Sequence, residues 1–192
     1  MFEFCRNLPV RPARPERLFF GVFPDAEAAG RINKSAARLF GEGRFEETWI
    51  RTDRLHLSLH HIGDYKHLPT KLIYAARQAG GAVWIEPFEM TFDAVGSYEG
   101  TPTNGTRRRP VAMLGGAKAL LSLHEALGRA MKKNGLRPAV HFTPHLTLFY
   151  SRKPFPARPI EPIRFTANEF ALVYSKLGLT EYELIERWPL KA

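Results

Sequence analysis

Two four-residue strings, His56-Leu57-Ser58-Leu59 and His145-Leu146-Thr147-Leu148, repeat one pattern 89 residues apart, at positions 56 and 145. Each alternates polar and apolar residues, the first from Leu55 onward. Such alternation marks a half-buried β-strand, whose side chains point by turns to opposite faces. The leucines then face a core, while His56 shares the other face with Ser58 and His145 shares it with Thr147. Within each strand the imidazole and hydroxyl stand roughly 7 Å apart at the backbone, so both can lean toward one group the size of a phosphate. Ordinary residue frequencies give this pattern to roughly one histidine in fifty, and two copies to about one chain of this size in a hundred. The pair is therefore far more specific than either member.

Other segments alternate between strand and helix signals. Leu18 to Phe23 reads as a buried strand, and Pro24-Asp25 opens a helix carrying Ile32, Ala36, Leu39 and Phe40 before Gly41 closes it. A strand at 55–62 precedes a helix at 69–79. Strands near 85–97 and 111–115 flank a loop, and a helix at 117–134 presents Leu120, Leu123, Leu127 and Met131. After the second motif the tail offers strands at 164–177 and 181–188. This order predicts α+β layers with mainly antiparallel sheets.

The chain of 192 residues, 44% hydrophobic, suffices for one well-cored domain. Residues 1–16 set Arg6, Arg11 and Arg14 among prolines without an apolar run, and read as a flexible leader before a single domain at 17–192. No segment approaches membrane-spanning length. The single cysteine, Cys5, fits a reducing compartment, so a cytoplasmic location is expected. A net charge of +9 favours polyanions such as RNA. Arg107, Arg108 and Arg109 in the loop from Gly100 to Pro110, together with Arg152, are candidates for backbone phosphates.

Phe149 and Tyr150 are candidate base contacts, with Phe149 as the stacking platform because alternation puts it on the face of His145 and Thr147. Tyr98 and Phe20 can also stack, although Phe20 fits a core. Strand geometry argues against a metal at His56 and His60, or at His141 and His145, since residues four apart in a strand are separated by about 13 Å. His60 falls on the His56 face by alternation, where it can border the site, but a hydrogen-bonded structural role fits it better; His61 falls on the other side. His124 and His67 read as structural.

The strings Arg17-Leu18-Phe19-Phe20, Leu55-His56-Leu57-Ser58-Leu59-His60 with Gly63 and Asp64, Phe142-Thr143-Pro144-His145-Leu146-Thr147-Leu148 and Tyr182-Glu183-Leu184 span nearly the whole chain. With them the sequence resembles the two-histidine phosphoesterases, in particular the bacterial RNA 2',3'-cyclic phosphodiesterases, also called LigT-like or 2'-5' RNA ligase proteins. The resemblance implies two similar lobes with an active-site groove between them, not a simple halving of the chain. It implies catalytic His56 and His145, with Ser58 and Thr147 binding the phosphate. The motifs are nearly symmetric, so the residues alone leave the acid and base interchangeable; the resemblance makes His56 the acid and His145 the base. One departure stands out, because such proteins often continue the second motif with Ala-Arg and this chain has Phe149-Tyr150.

The expected activity is metal-independent hydrolysis of terminal 2',3'-cyclic phosphates on RNA to 2'-phosphates, without cofactor, by a monomer. Alternatives are 2'-5' RNA ligation, a small-nucleotide cyclic phosphodiesterase, and an RNA-binding module without turnover.

Overall fold

The computed structural model describes residues 16–41, 48–97, 108–176 and 181–191. The expected leader up to residue 15, Cys5, Tyr98 and Arg107 lie outside them. Nine strands and three helices run along the described residues in the order β1 (Glu16–Val22), α1 (Ala26–Phe40), β2 (Thr48–Trp49), β3 (Leu57–Tyr65), α2 (Thr70–Gly81), β4 (Phe88–Ser97), β5 (Arg109–Gly116), α3 (Lys118–Lys133), β6 (His145–Ser151), β7 (Arg158–Ala167), β8 (Glu169–Lys176) and β9 (Glu181–Pro189). Glu16, assigned to the leader by sequence, opens β1, and its carboxylate accepts the Leu68 N–H at 2.6 Å.

The helices end where local chemistry requires it. Asp25 caps α1 by accepting the Ala28 N–H at 2.7 Å, and Ile32, Ala36 and Phe40 bury one stripe of it. Gly41, at φ 80°, supplies the left-handed residue that stops it. In α3 the expected Leu120, Leu123, Leu127 and Met131 are all buried, and Lys132 and Lys133 sit in the last turn, where cations complement the helix dipole. No helix among the described residues is long and apolar enough to cross a membrane.

Two antiparallel sheets form, as expected of the α+β class. One has the order β3-β1-β8-β9 and the other β2-β6-β5-β4-β7. The first joins strands from both ends of the chain and the second takes its middle, so the lobes are indeed not halves. One continuous core, including Phe20, Phe92, Phe170, Met90 and Met113, underlies both sheets. The tail departs from expectation: the single strand read at 164–177 breaks at Asn168 into β7 and β8, which belong to different sheets. The polar pair Asn168-Glu169 marks this break in the sequence. Pro159 and Pro162 lie in β7, a strand at the sheet edge, where a missing N–H interrupts no ladder.

Each motif strand carries a bulge at the same place. In β3, Ser58 lies opposite Gly21 and His60 opposite Phe20, which leaves Leu59 unpaired. In β6, Thr147 lies opposite Ala112 and Phe149 opposite Val111, which leaves Leu148 unpaired. An extra residue reverses the alternation beyond it. His60 therefore turns into the core and His61 faces out, the opposite of simple alternation. Likewise Phe149 is fully buried, which removes it as a base platform, and Tyr150 takes the outward place.

His60 uses its burial to tie β3 to α3 and to the segment that follows α3. Its Nε2–H donates to the His124 carbonyl at 2.9 Å, and its Nδ1 accepts the Ala139 N–H at 3.1 Å. Its ring stacks on His124 at 4.0 Å, and His124 stacks on Phe142 at 4.2 Å. Gly128 permits this approach, since a Cβ there would stand 3.4 Å from the His60 ring. Burial holds the His60 pKa down to about 4, partly offset by the His124 carbonyl. The fold thus favours the neutral ring, whose stabilisation is complete above about pH 6.5 and is lost as the pH falls toward 4. We expect His60→Ala to cost about 2–4 kcal/mol at pH 7 in urea denaturation, since it strands a buried N–H and a carbonyl. A loss below about 0.5 kcal/mol would contradict this role.

Candidate active site

Strands β3 and β6 meet where the two sheets adjoin, which brings the motif faces together. His56 precedes the first residue of β3, after a 3-10 turn over Thr52–Arg54, and His145 is the first residue of β6, after Pro144. Both rings make the same bond. Nδ1 of His56 lies 2.8 Å from the Arg54 carbonyl, and Nδ1 of His145 lies 2.8 Å from the Thr143 carbonyl. A carbonyl only accepts, so each Nδ1 carries the hydrogen and donates it. Nε2 is left on each ring as the atom that takes up or gives away a proton.

The rings also sense one another. Burial pushes His56 down to about 4, against the Arg54 carbonyl bond, and the positive charges of Arg54, His145 and Arg17 add to the depression. Burial likewise lowers His145, opposed by its Thr143 carbonyl bond. Both imidazoles are consequently neutral near pH 7 in the ligand-free groove. The source of the burial is an aromatic wall on the groove face of the first sheet. Phe19, Phe23 and Tyr182 stand 5.0, 5.7 and 5.4 Å from the His56 ring, ring centre to ring centre. They cluster with Ala171, Val173 and Leu184, separate from the main core.

Small residues give the motif hydroxyls room: Ser58 is exposed opposite Gly21, and Thr147 is half-buried opposite Ala112. A Cβ on Gly21 would lie 3.1 Å from the Leu57 carbonyl oxygen, 3.3 Å from the Phe19 ring and 3.7 Å from the His56 ring. A side chain at Gly21 would therefore crowd the Leu57 carbonyl and the Phe19 ring that packs on His56. At the rim, Arg17 grips Asp64 through two bonds of 2.8 and 2.9 Å, and His61 meets the same carboxylate at 2.9 Å. The Arg17 bond holds Asp64 at about 2, against its partial burial. Tyr150 reaches from the second sheet toward Arg17 and Tyr182 on the first, near enough for their charges to interact.

His56, Ser58, His145 and Thr147 thus lie at the seam, with Tyr150 farther along β6, facing Arg17 and Tyr182. The basic candidates do not. Arg109, in register with Ser151, and exposed Arg152 lie at the far end of β5 and β6, about 20 Å along the strand from His145. Arg108 bonds the Thr48 hydroxyl at 2.5 Å. Such residues can meet only a longer chain. His56 and His60 fall on opposite faces, so that pair cannot share a metal ion. Among the described residues no three His, Cys, Asp or Glu side chains gather around one metal position.

Sequence reading missed Arg54 and Phe23 as site residues, and it quoted Arg17, Phe19 and Tyr182 only for resemblance. The aromatics looked like core because β1 is apolar on both faces, and Arg54 has no periodic signal. A cavity of about 660 Å³ lies beyond Phe23 and Tyr182. Its lining includes the carboxylates of Asp25, Asp53 and Glu169 and the guanidinium of Arg187, which pairs with Glu169.

Comparison with known proteins agrees with this fold. The sequence profile described as the 2'-5' RNA ligase superfamily matches residues 24–178. The apo structure of E. coli LigT is 25% identical, covering 94% of this chain and 100% of that one, at a TM-score of 0.69. The same protein complexed with 3'-AMP is 25% identical, covering 93% and 99%, at 0.68. TT0787 of Thermus thermophilus, at 22% identity, 92% and 98% coverage and a TM-score of 0.72, shows the shared fold. Comparison with curated protein sequences finds no match.

The burial argument predicts that histidine Cε1–H resonances followed by NMR give His56 a titration midpoint near 4 in the ligand-free protein. A midpoint at or above 6.5 would show that the aromatic wall does not desolvate it.

Proposed function

The chain belongs to the 2'-5' RNA ligase superfamily, and on that footing we propose that it hydrolyses terminal 2',3'-cyclic phosphates on RNA to 2'-phosphates, with His145 as base and His56 as acid. The observation that carries this reading is the matched pair of Nδ1–H to carbonyl bonds, which orients two Nε2 atoms for proton transfer on adjoining strands. Nε2 of His145 takes a proton from water, whose oxygen bonds to phosphorus. The bond from phosphorus to O3' breaks, and Nε2–H of His56 protonates the departing oxygen. The proton balance closes with His145 charged and His56 neutral, and exchange with solvent resets both.

Ser58 and Thr147 donate hydrogen bonds to the nonbridging oxygens, which hold the phosphorus between the rings and stabilise developing charge. The acid needs a proton that burial and the nearby positive charges discourage. The substrate supplies the remedy, since an anion between two imidazoles favours their charged forms. E. coli LigT has been crystallised with 3'-AMP, which supports a nucleotide in a groove of this fold. The net charge of +9 supports RNA as the larger partner. In this proposal a cytoplasmic monomer works without metal or cofactor.

A ligase reading has one support, the superfamily to which the chain belongs. With a 5'-hydroxyl in place of water, the same two proton transfers yield a 2'-5' linkage.

The test is incubation of a 2',3'-cyclic-phosphate oligonucleotide with the protein and EDTA, with the product identified by phosphorus NMR. A 2'-phosphate is expected, and His56→Ala or His145→Ala should each slow its formation about 10²- to 10⁴-fold. Full activity in either variant would remove that histidine from the mechanism. The rate should follow a bell against pH, falling at low pH as the base is protonated and at high pH as the acid is lost. A profile flat from pH 5 to 9 would contradict paired acid and base roles.

A further inference from the structure

Arg54 is set apart from the other described cations around the groove. Arg17 is neutralised by Asp64, Arg187 meets Glu169, and Arg51 makes two bonds to Asp53, at 3.0 and 2.7 Å. Asp53 is the acidic neighbour of Arg54 in sequence, yet it turns to Arg51. Among the described residues Arg54 forms no ion pair with a carboxylate. Its guanidinium carbon instead stands 4.1 Å above the ring centre of Tyr182, and its buried Nε–H has no hydrogen-bond partner.

A half-buried guanidinium without a counter-ion is unfavourable unless a ligand supplies the negative charge. The position of this one is fixed twice. Its own backbone carbonyl holds Nδ1 of His56 at 2.8 Å, so imidazole and guanidinium spring from one short segment. Both also rest against the same phenol ring, since Tyr182 lies 5.4 Å from His56. Stacking and a side-chain hydrogen bond with Tyr182 orient the planar fork, and neither neutralises its charge.

We propose that Arg54 is the guanidinium that grips the substrate phosphate at the His56 side of the groove, an anion-binding residue of the site. This inference rests on the phosphodiester reading of the groove and adds a residue to it. A guanidinium suits the task because its fork matches two phosphoryl oxygens at once. Arg17 is less suited, because its Nε and one terminal nitrogen are already committed to Asp64. The arrangement also couples binding to chemistry. The Arg54 charge opposes protonation of His56, as do His145 and Arg17. A bound phosphate offsets the Arg54 charge and so readies His56 to serve as the acid.

The test uses inorganic phosphate as the probe, titrated into the full chain and followed by histidine NMR, beside steady-state kinetics on a 2',3'-cyclic-phosphate oligonucleotide. Arg54→Met keeps the backbone carbonyl and the apolar stem while removing the charge. It should weaken phosphate binding and raise KM about ten- to hundredfold, the worth of a hydrogen bond to a charged group. Arg54→Lys, which keeps charge without the fork, should recover part of the loss. Arg129→Ala, on the exposed face of α3, should match the wild type. Should Arg54→Met fail to fold, Arg54→Lys carries the comparison, and phosphate affinity equal to wild type in it overturns the proposal. Wild-type phosphate affinity in a folded Arg54→Met also overturns it, even where kcat falls, as does failure of the wild type to bind phosphate. Phosphate binding that depends on Arg54 in a protein that turns over no cyclic phosphate would sustain this inference and defeat the phosphodiesterase reading. The reverse pattern, turnover without dependence on Arg54, would defeat this inference alone.

Discussion

The bond from each imidazole Nδ1 to the carbonyl two residues upstream is the constraint on which the site depends. It is made twice, at the same length and with the same spacing, by segments 89 residues apart. It settles the tautomer by elimination and leaves Nε2 on both rings for chemistry. The strands supply the rest of the positioning. Ser58 and Thr147 follow two residues on along the same face, and the sheets adjoin at the strands that carry them. The bulge after each motif then changes what lies beyond: an inward residue, His60 or Phe149, anchors the strand to the core, and an outward one, His61 or Tyr150, lies on the motif face.

Much of this was legible in the sequence, for identifiable reasons. A strict alternation of leucine with polar residues admits little besides a half-buried strand, so the two motif strands and their shared face could be read directly. The stripe of Leu120, Leu123, Leu127 and Met131 gave α3 nearly to its ends. What failed was the reading beyond Leu59 and Leu148. A bulge has no signature in an apolar run, and a single extra residue inverts every later assignment on the strand. That inversion misplaced His60, His61 and Phe149. The break at Asn168 failed differently: the polar pair Asn168-Glu169 signals it, but strand-forming residues on either side made one long strand of two that belong to different sheets. Arg54 and Tyr182 become visible only when β9 is laid beside β1 through β8 and the 3-10 turn is placed above them.

The electrostatics of the groove follow from which sheet contributes which residue. The first sheet brings Phe19, Phe23 and Tyr182 against His56 and removes water from it, while Arg17 and Arg54 surround it with positive charge. Both influences favour a neutral ring. The second sheet brings His145, which is lowered by its own burial. Two imidazoles held neutral by burial beside the Arg54 guanidinium form an arrangement balanced by an anion and poorly matched to any neutral ligand. In this account the substrate completes the active site by restoring the proton affinity of the acid.

The central claim is that one phosphorus sits between the two Nε2 atoms. A crystal structure of the protein with orthovanadate, whose five-coordinate geometry resembles phosphorus during displacement, tests it most directly. The account predicts vanadium between His56 and His145, with Nε2 of each ring within hydrogen-bond distance of a vanadate oxygen and the Ser58 and Thr147 hydroxyls on the remaining oxygens. Vanadate bound at the distant Arg109 and Arg152, or held by one histidine while the other ring stays turned away, would contradict it.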